Sequence, residues 1–241
     1  MDYNCGMEEF YIRTAALVGL RGVEKLKLSH VAVFGLGGVG SYIAEALARC
    51  GVGELTLIDA DCVAPSNINR QLVALSSTVG EPKTEVMAAR IADINPSCRV
   101  HIRTEFFDEN TVKNYDFSVY SYVADAIDSI KSKIFLICSA RAANIPVISC
   151  MGAGNQMNAA SFRVADVEKT RVCPLAKIVR RELKKAGVAG VKAVYSEELP
   201  KVPDCSFARA GEKFIGSVSF VPSVAGLLAA GEIVRDILGE I

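Results

Sequence analysis

The stretch VAVFGLGGVG (31–40), continued by SYIAEALARC (41–50) and, after Gly51, by ELTLID (54–59), decides how the whole chain is read. Residues 31–34 form a short apolar run, the signature of a buried strand. Gly35, Gly37 and Gly40 supply a G-x-G-x-x-G turn, and Gly38 adds a fourth glycine. Residues 41–50 have helical spacing, closed by Gly51 as a helix C-cap closes one. Residues 55–58 are a second apolar strand, which ends at Asp59. A unit of this kind binds nucleotides: glycines admit close backbone approach, and the helix N-terminus favours a phosphate. Asp59 lies nineteen residues beyond Gly40, where a carboxylate commonly accepts hydrogen bonds from a ribose. Taken alone, the unit suits a nicotinamide cofactor as well as ATP.

Outward from this unit, strands and helices alternate. Residues 60–71 (ADCVAPSNINRQ) are rich in short polar side chains and read as a loop that 72–78 continues. GEPK (80–83) opens a helix over TEVMAARIADI, which stops at Asn95-Pro96. Strands are expected at 100–104, 120–126 and 146–151, with a short helix or turn at 110–115 and a helix at 132–144. The alternation predicts an α/β fold, a Rossmann-like doubly wound, mostly parallel sheet. Beyond a soft boundary near 155, strands at 162–167 and 192–196 and a helix at 174–186 form an appended C-terminal segment. The division is a nucleotide-binding core with an N-terminal helix (1–155) and a substrate-binding segment (156–241) packed back on it, together one domain.

Composition sets further bounds. At 241 residues and 51% hydrophobic, the chain has enough apolar side chains for a sizeable core. Its formal net charge is zero, so any nucleic-acid contact must be local. The eight cysteines include no C-x-x-C pair, which argues for reduced thiols in the cytoplasm and against structural zinc. The N-terminus, MDYNCGMEEF, lacks the pattern of a signal peptide. Residues 214–231 carry no charge, but Pro222 divides them into a strand-like half and a helix-like half. A buried strand followed by a packed C-terminal helix therefore outweighs a membrane span.

Four motifs accompany the glycine turn: DADCVAPSNINRQ (59–71), GEPK (80–83), ADAIDS (124–129) and, upstream, RTAALVGL (13–20). A dehydrogenase has no chemical need of this set. An enzyme that splits ATP at its α-phosphate does, because charge builds on the pyrophosphate leaving group. Arg70, Lys83 and Arg13 offer cations, and Asp128 or Asp125 offers an oxygen ligand for a metal. Asn67 and Asn69 are short hydrogen-bonding side chains suited to positioning phosphates.

With these residues in place, the chain resembles the ubiquitin-activating-enzyme-like superfamily of ATP-dependent adenylyltransferases. GLGGVG, DAD, SNINRQ, GEPK and DAID stand in that superfamily's order over about residues 13–160. The resemblance implies ATP and Mg²⁺ as cofactors. It implies a nucleotide site at Gly35, Gly37, Gly38, Gly40, Asp59, Asp61, Asn67, Arg70, Lys83, Asp128 and Ser129. Asp59 would bind the ribose, Arg70 and Lys83 the phosphates, and Asp128 the metal, while Arg13 would reach the partner's site in a homodimer. Across nearly the whole chain, INRQLVAL, VGEPKTEVMAARIADINP, YSYVADAIDSIKSK and GSVSFVPSVAGLLAAGEIV are similar to the tRNA threonylcarbamoyladenosine dehydratase branch. That branch implies adenylation of the threonylcarbamoyl carboxylate on adenosine-37 of a tRNA, then cyclisation with loss of AMP. The alternative is activation of the C-terminus of a ubiquitin-like sulfur carrier, and the resemblance leaves room for a sulfur-transfer partner protein.

Residues outside the motifs complete the reading. Residues 163–192 carry nine basic against three acidic side chains, a local net of +6. Lys177, Arg180, Arg181, Lys184 and Lys185 fall at helical spacing, a basic stripe fit for a tRNA backbone or for solvent. Cys173, before Pro174, reads as a helix-start residue rather than a thioester-forming nucleophile. His30 and His101 flank strands and suggest nothing catalytic.

Overall fold

A computed structural model describes residues 9–206, 209, 212 and 214–239. Among the described residues, seven strands form one sheet: β1 (His30–Phe34), β2 (Glu54–Ile58), β3 (Arg99–Arg103), β4 (Tyr122–Asp125), β5 (Val147–Cys150), β6 (Phe162–Asp166) and β7 (Lys192–Ser196). Their order is β3-β2-β1-β4-β5-β7-β6, parallel throughout except for the antiparallel β6–β7 pair at one edge. The order reverses between β1 and β4. In doubly wound sheets that reversal opens a crevice beyond the carboxyl ends of the strands, where ligands bind.

Helices cover both faces. On one lie α1 (Ile12–Lys27), α2 (Gly40–Cys50), α3 (Lys83–Ile94) and α6 (Phe220–Leu238), packed on Val31, Val33, Leu55 and Leu57. On the other lie α4 (Ile130–Ala142) and α5 (Pro174–Lys185), with an aromatic group of Phe34, Phe107, Tyr115, Phe117 and Tyr120. Residues beyond 155 thus supply two strands of the same sheet and one helix to each face. Apart from the strand expected before Pro222, the expected strands and helices are present with shifted ends. The N-terminal helix is interrupted at Gly19, whose φ of 74° lies outside helical geometry.

One expectation fails. The half of 214–231 before Pro222 is not a strand; residues 214–219 are irregular and α6 already starts at Phe220. Pro222 therefore sits in the first helical turn, where its missing N–H would have had no helical partner. It does not separate two elements. Among the described residues, no helix is long and apolar enough to cross a membrane.

The last helix matters for the glycine turn. A Cβ on Gly226 would lie 2.4 Å from the Val39 carbonyl oxygen, and one on Gly38 would lie 3.2 Å from the Pro222 ring. Helix α6 is thus seated against the glycine turn and the start of α2, and only glycine at 226 allows that approach.

Candidate active site

The glycine turn leaves β1 at Gly35, whose φ is +87° and whose added Cβ would press on the Ala126 carbonyl oxygen at 2.7 Å. Gly40 is tighter still, since its Cβ would sit 1.7 Å from the Gly35 carbonyl oxygen. Those two glycines fold the turn on itself and against the loop after β4. Gly37 differs: a Cβ there would meet nothing closer than Gln71 Nε2 at 3.8 Å. Its open side faces the cleft, as close approach by a ligand requires. Gly38 also lines the cleft, with its Cβ position set against Pro222 and Arg70.

Asp59 holds the turn from the side. Its Oδ2 accepts a hydrogen bond from the Leu36 N–H at 2.6 Å, and its Oδ1 accepts one from the Asp61 N–H at 2.8 Å. Lys83 is placed by two loops that run together. Val63 N–H donates to the Glu81 carbonyl at 2.8 Å, and Lys83 N–H donates to the Asp61 carbonyl at 3.0 Å. The GEPK motif is thereby bound to the DAD motif. The Lys83 side chain is 6% exposed, with Nζ 2.7 Å from Asp61 Oδ2 and 3.9 Å from Asp59 Oδ1. A nearly buried ammonium at the first turn of α3 gains nothing from the helix dipole. The two carboxylates compensate it.

The SNINRQ motif makes a short turn. Asn67 Oδ1 accepts from the Ala64 N–H at 3.0 Å. Arg70 Nη1 donates to the Ser66 carbonyl and to Asn69 Oδ1, both at 2.9 Å. Asn69 in turn donates to the Ser217 carbonyl at 3.0 Å, so it ties the motif to the segment entering α6. Gln71 is buried, and its Oε1 has no hydrogen-bond partner.

These groups line one cleft of about 790 Å³, a volume suited to a nucleotide. Gly35, Gly37, Gly38, Asp59, Asp61, Asn67, Arg70, Lys83 and Asp128 all line it. Gly40, Asn69, Ser129 and Arg13 do not. Ser129 instead caps α4, its side chain accepting from the Ser132 N–H, and Arg13 is exposed on α1. Asp128 is exposed, while Asp125 is fully buried, so of the two only Asp128 is open to a ligand. The donor set fits a nucleotide with Mg²⁺. The open side of Gly37 offers backbone approach, the orphaned Gln71 oxygen an acceptor, Arg70 and Lys83 cations, and Asp128 a hard oxygen.

The sequence did not reveal the buried pairing that Asp125 makes behind this cleft. Lys133 and Asp125 both have fully buried side chains, 2.8 Å apart. Lys133 Nζ also donates to the Cys150 carbonyl at 2.9 Å, and Ser149 Oγ donates to Asp125 Oδ2 at 2.6 Å. Asp125 Oδ1 accepts from the Ile127 N–H at 3.1 Å, which fixes the loop carrying Asp128. The available signal was a lysine in phase with Leu136, Ile137 and Ala140 on an apolar helix face. Cys150 also lines the cleft, but burial pushes its thiol up to about 12, so it stays protonated and unreactive. Cys173 is buried and outside the cleft lining, at the start of α5.

On α5 the basic stripe is divided. Arg180 Nη1 donates to the Thr170 carbonyl at 2.6 Å and to its hydroxyl at 2.9 Å, a bond within the protein. Arg181 and Lys185 share Glu182. Lys177, Arg181, Lys184 and Lys185 are exposed.

Comparisons with known proteins place this geometry. The ThiF family profile matches residues 11–241. The tRNA threonylcarbamoyladenosine dehydratase of Bacillus subtilis (strain 168) is 45% identical over 242 residues, covering 96% of this chain and 95% of the relative. The crystal structure of the Escherichia coli tRNA N6-threonylcarbamoyladenosine dehydratase in complex with ATP superposes with a TM-score of 0.86 at 38% identity, covering 95% of this chain and 93% of that one. The same enzyme in complex with AMP superposes at 0.85, with the same identity and coverage.

The buried Asp125–Lys133 pair yields a stability prediction. Replacing one partner strands the other charge, a loss of about 3–5 kcal/mol. Lys133→Ala should therefore lower the urea unfolding free energy by that amount, and the double variant Lys133→Met with Asp125→Asn should lose less. A single variant within about 1 kcal/mol of the wild type would contradict the pairing.

Proposed function

The chain belongs to the ThiF family, and from that premise we propose that it is an ATP-dependent tRNA threonylcarbamoyladenosine dehydratase. The observation that carries the proposal is the gathering of Arg70, Lys83 and Asp128 around the open side of the glycine turn. The relatives solved with ATP and AMP support the same ligand class at 38% identity. A carboxylate is a poor electrophile while its oxygen is a poor leaving group. Joined to the α-phosphorus of ATP with release of pyrophosphate, that oxygen leaves as AMP when the modified base cyclises. The net change is loss of water.

The chain's own residues divide this work. Asp59, fixed by the Leu36 and Asp61 amides, presents a carboxylate edge for a ribose. Lys83 and Arg70 offset the charge that gathers on the departing pyrophosphate. Mg²⁺, held by the exposed Asp128 carboxylate, would supply further neutralisation there. The exposed members of the α5 stripe, Lys177, Arg181, Lys184 and Lys185, are assigned to the tRNA backbone. A cytoplasmic location accords with a tRNA substrate.

We assign Arg13 to the cleft of a second copy in a homodimer. It is exposed on α1, and the same helix exposes Leu17 and Leu20, at 87% and 58%, which suits a contact between copies.

Two variants separate the two substrates. Lys83→Ala should lower AMP formation by about 100-fold or more while sparing tRNA binding. Lys177→Glu with Lys184→Glu should weaken tRNA binding and flatten its salt dependence while sparing ATP binding. AMP formation with unmodified tRNA, or with a Gly-Gly-ending protein and no RNA, would overturn the proposal. The dimer is tested by mixing Arg13→Ala and Lys83→Ala chains, each inactive alone. Subunit exchange should restore about a quarter of wild-type activity if Arg13 acts across the interface, and none if it acts within its own chain.

A further inference from the structure

Three side chains that play no part in the cleft converge at the other end of the sheet. His30 opens β1 and pairs in register with Glu54, which opens β2; Thr56 of β2 pairs with His101 of β3. Glu54 and Thr56 are two residues apart, so alternation puts His30, Glu54, Thr56 and His101 on one face. The cleft lies beyond the carboxyl ends of these strands. Five-residue strands separate it from His30 and Glu54 by about 16 Å. This group is a different place from the nucleotide site.

The geometry points to a binding site for a divalent transition-metal ion, zinc, cobalt or nickel, coordinated by His30, Glu54 and His101. One ligand atom from each of the three lies within 4.8 Å of the others. His101 Nε2 is 2.6 Å from Glu54 Oε1, and His30 Nδ1 is 3.7 Å from the same oxygen. Tetrahedral bonds of about 2.0–2.2 Å hold ligand atoms about 3.3–3.5 Å apart, so the group is already near that spacing. His101 is half exposed, at 52%, and free to open the small remaining distance.

The surroundings orient the ligands. Arg99 ion-pairs with Glu54 Oε2, the oxygen turned away from the histidines, and leaves Oε1 to face them. On the far side of the His30 ring, Nε2 is 2.8 Å from the Thr56 hydroxyl. Such outer contacts set the rotation of a ligating imidazole or carboxylate. Two imidazoles and one carboxylate suit borderline metals better than Mg²⁺ or Ca²⁺, which take oxygen ligands. Remaining positions would be filled by water, since the group opens to solvent at His101. Its ligands come from three adjacent strands, so a bound ion would join β1, β2 and β3 at their amino ends.

The test is calorimetric titration of the full chain with Zn²⁺ in excess Mg²⁺, beside a Co²⁺ titration followed by visible absorption. One equivalent should bind and raise Tm, with a Co²⁺ spectrum free of thiolate charge transfer. His101→Ala, an exposed site, and the isosteric Glu54→Gln should each weaken Zn²⁺ binding by at least about 10- to 100-fold and abolish the rise in Tm. Unchanged affinity in both variants, or a thiolate band reporting cysteine ligands, would overturn the assignment. So would the absence of a stoichiometric site in the wild type.

Discussion

The hydrogen bond from the Leu36 amide to the Asp59 carboxylate, at 2.6 Å, is the contact on which the rest of the site depends. It joins the turn after β1 to the end of β2, which sequence separates by a helix. A charged acceptor makes such a bond stronger than a neutral one. Once it is formed, Gly35 and Gly40 have no room for side chains and Gly37 faces the cleft. The other oxygen of Asp59 takes the Asp61 amide, and Asp61 holds Lys83. One carboxylate thus sets the positions of a turn, a loop and a cation.

The cleft is built from both halves of the chain. Most of its lining comes from residues before 155. One wall comes from the segment entering α6, where Ile215, Ser217 and Pro222 line it. Helix α6 approaches the start of α2 closely enough that only glycine fits at 226. Helix α6 is therefore packed directly on a turn that lies far from it in sequence. On the far side, the buried Asp125–Lys133–Ser149 group fixes the loop that presents Asp128.

Much of this was legible in the sequence, because local rules wrote it there. The glycine spacing, the alternation of apolar strands and helices, and the order of DAD, SNINRQ, GEPK and DAID pointed to the sheet and to nine of the cleft's lining residues. What escaped depends on long-range packing. Lys133 looks like any helix lysine until Asp125 and the Cys150 carbonyl are brought beside it. Arg180 shares its spacing with the α5 stripe, yet it bonds to Thr170 inside the protein. Pro222 looks like a boundary and is a first-turn residue, since a proline marks a helix start as readily as a stop. His30 and His101 looked idle because strand register, not sequence distance, brings them to Glu54.

By the proposed function, this cleft spends ATP on a carboxylate carried by a tRNA base. The most direct measurement is mass spectrometry of the modified nucleoside after incubating the protein with ATP, Mg²⁺ and tRNA bearing threonylcarbamoyladenosine. The expected product is a nucleoside lighter by one water, formed one-for-one with AMP and dependent on Lys83. An unchanged nucleoside in the presence of bound ATP and bound tRNA would contradict it.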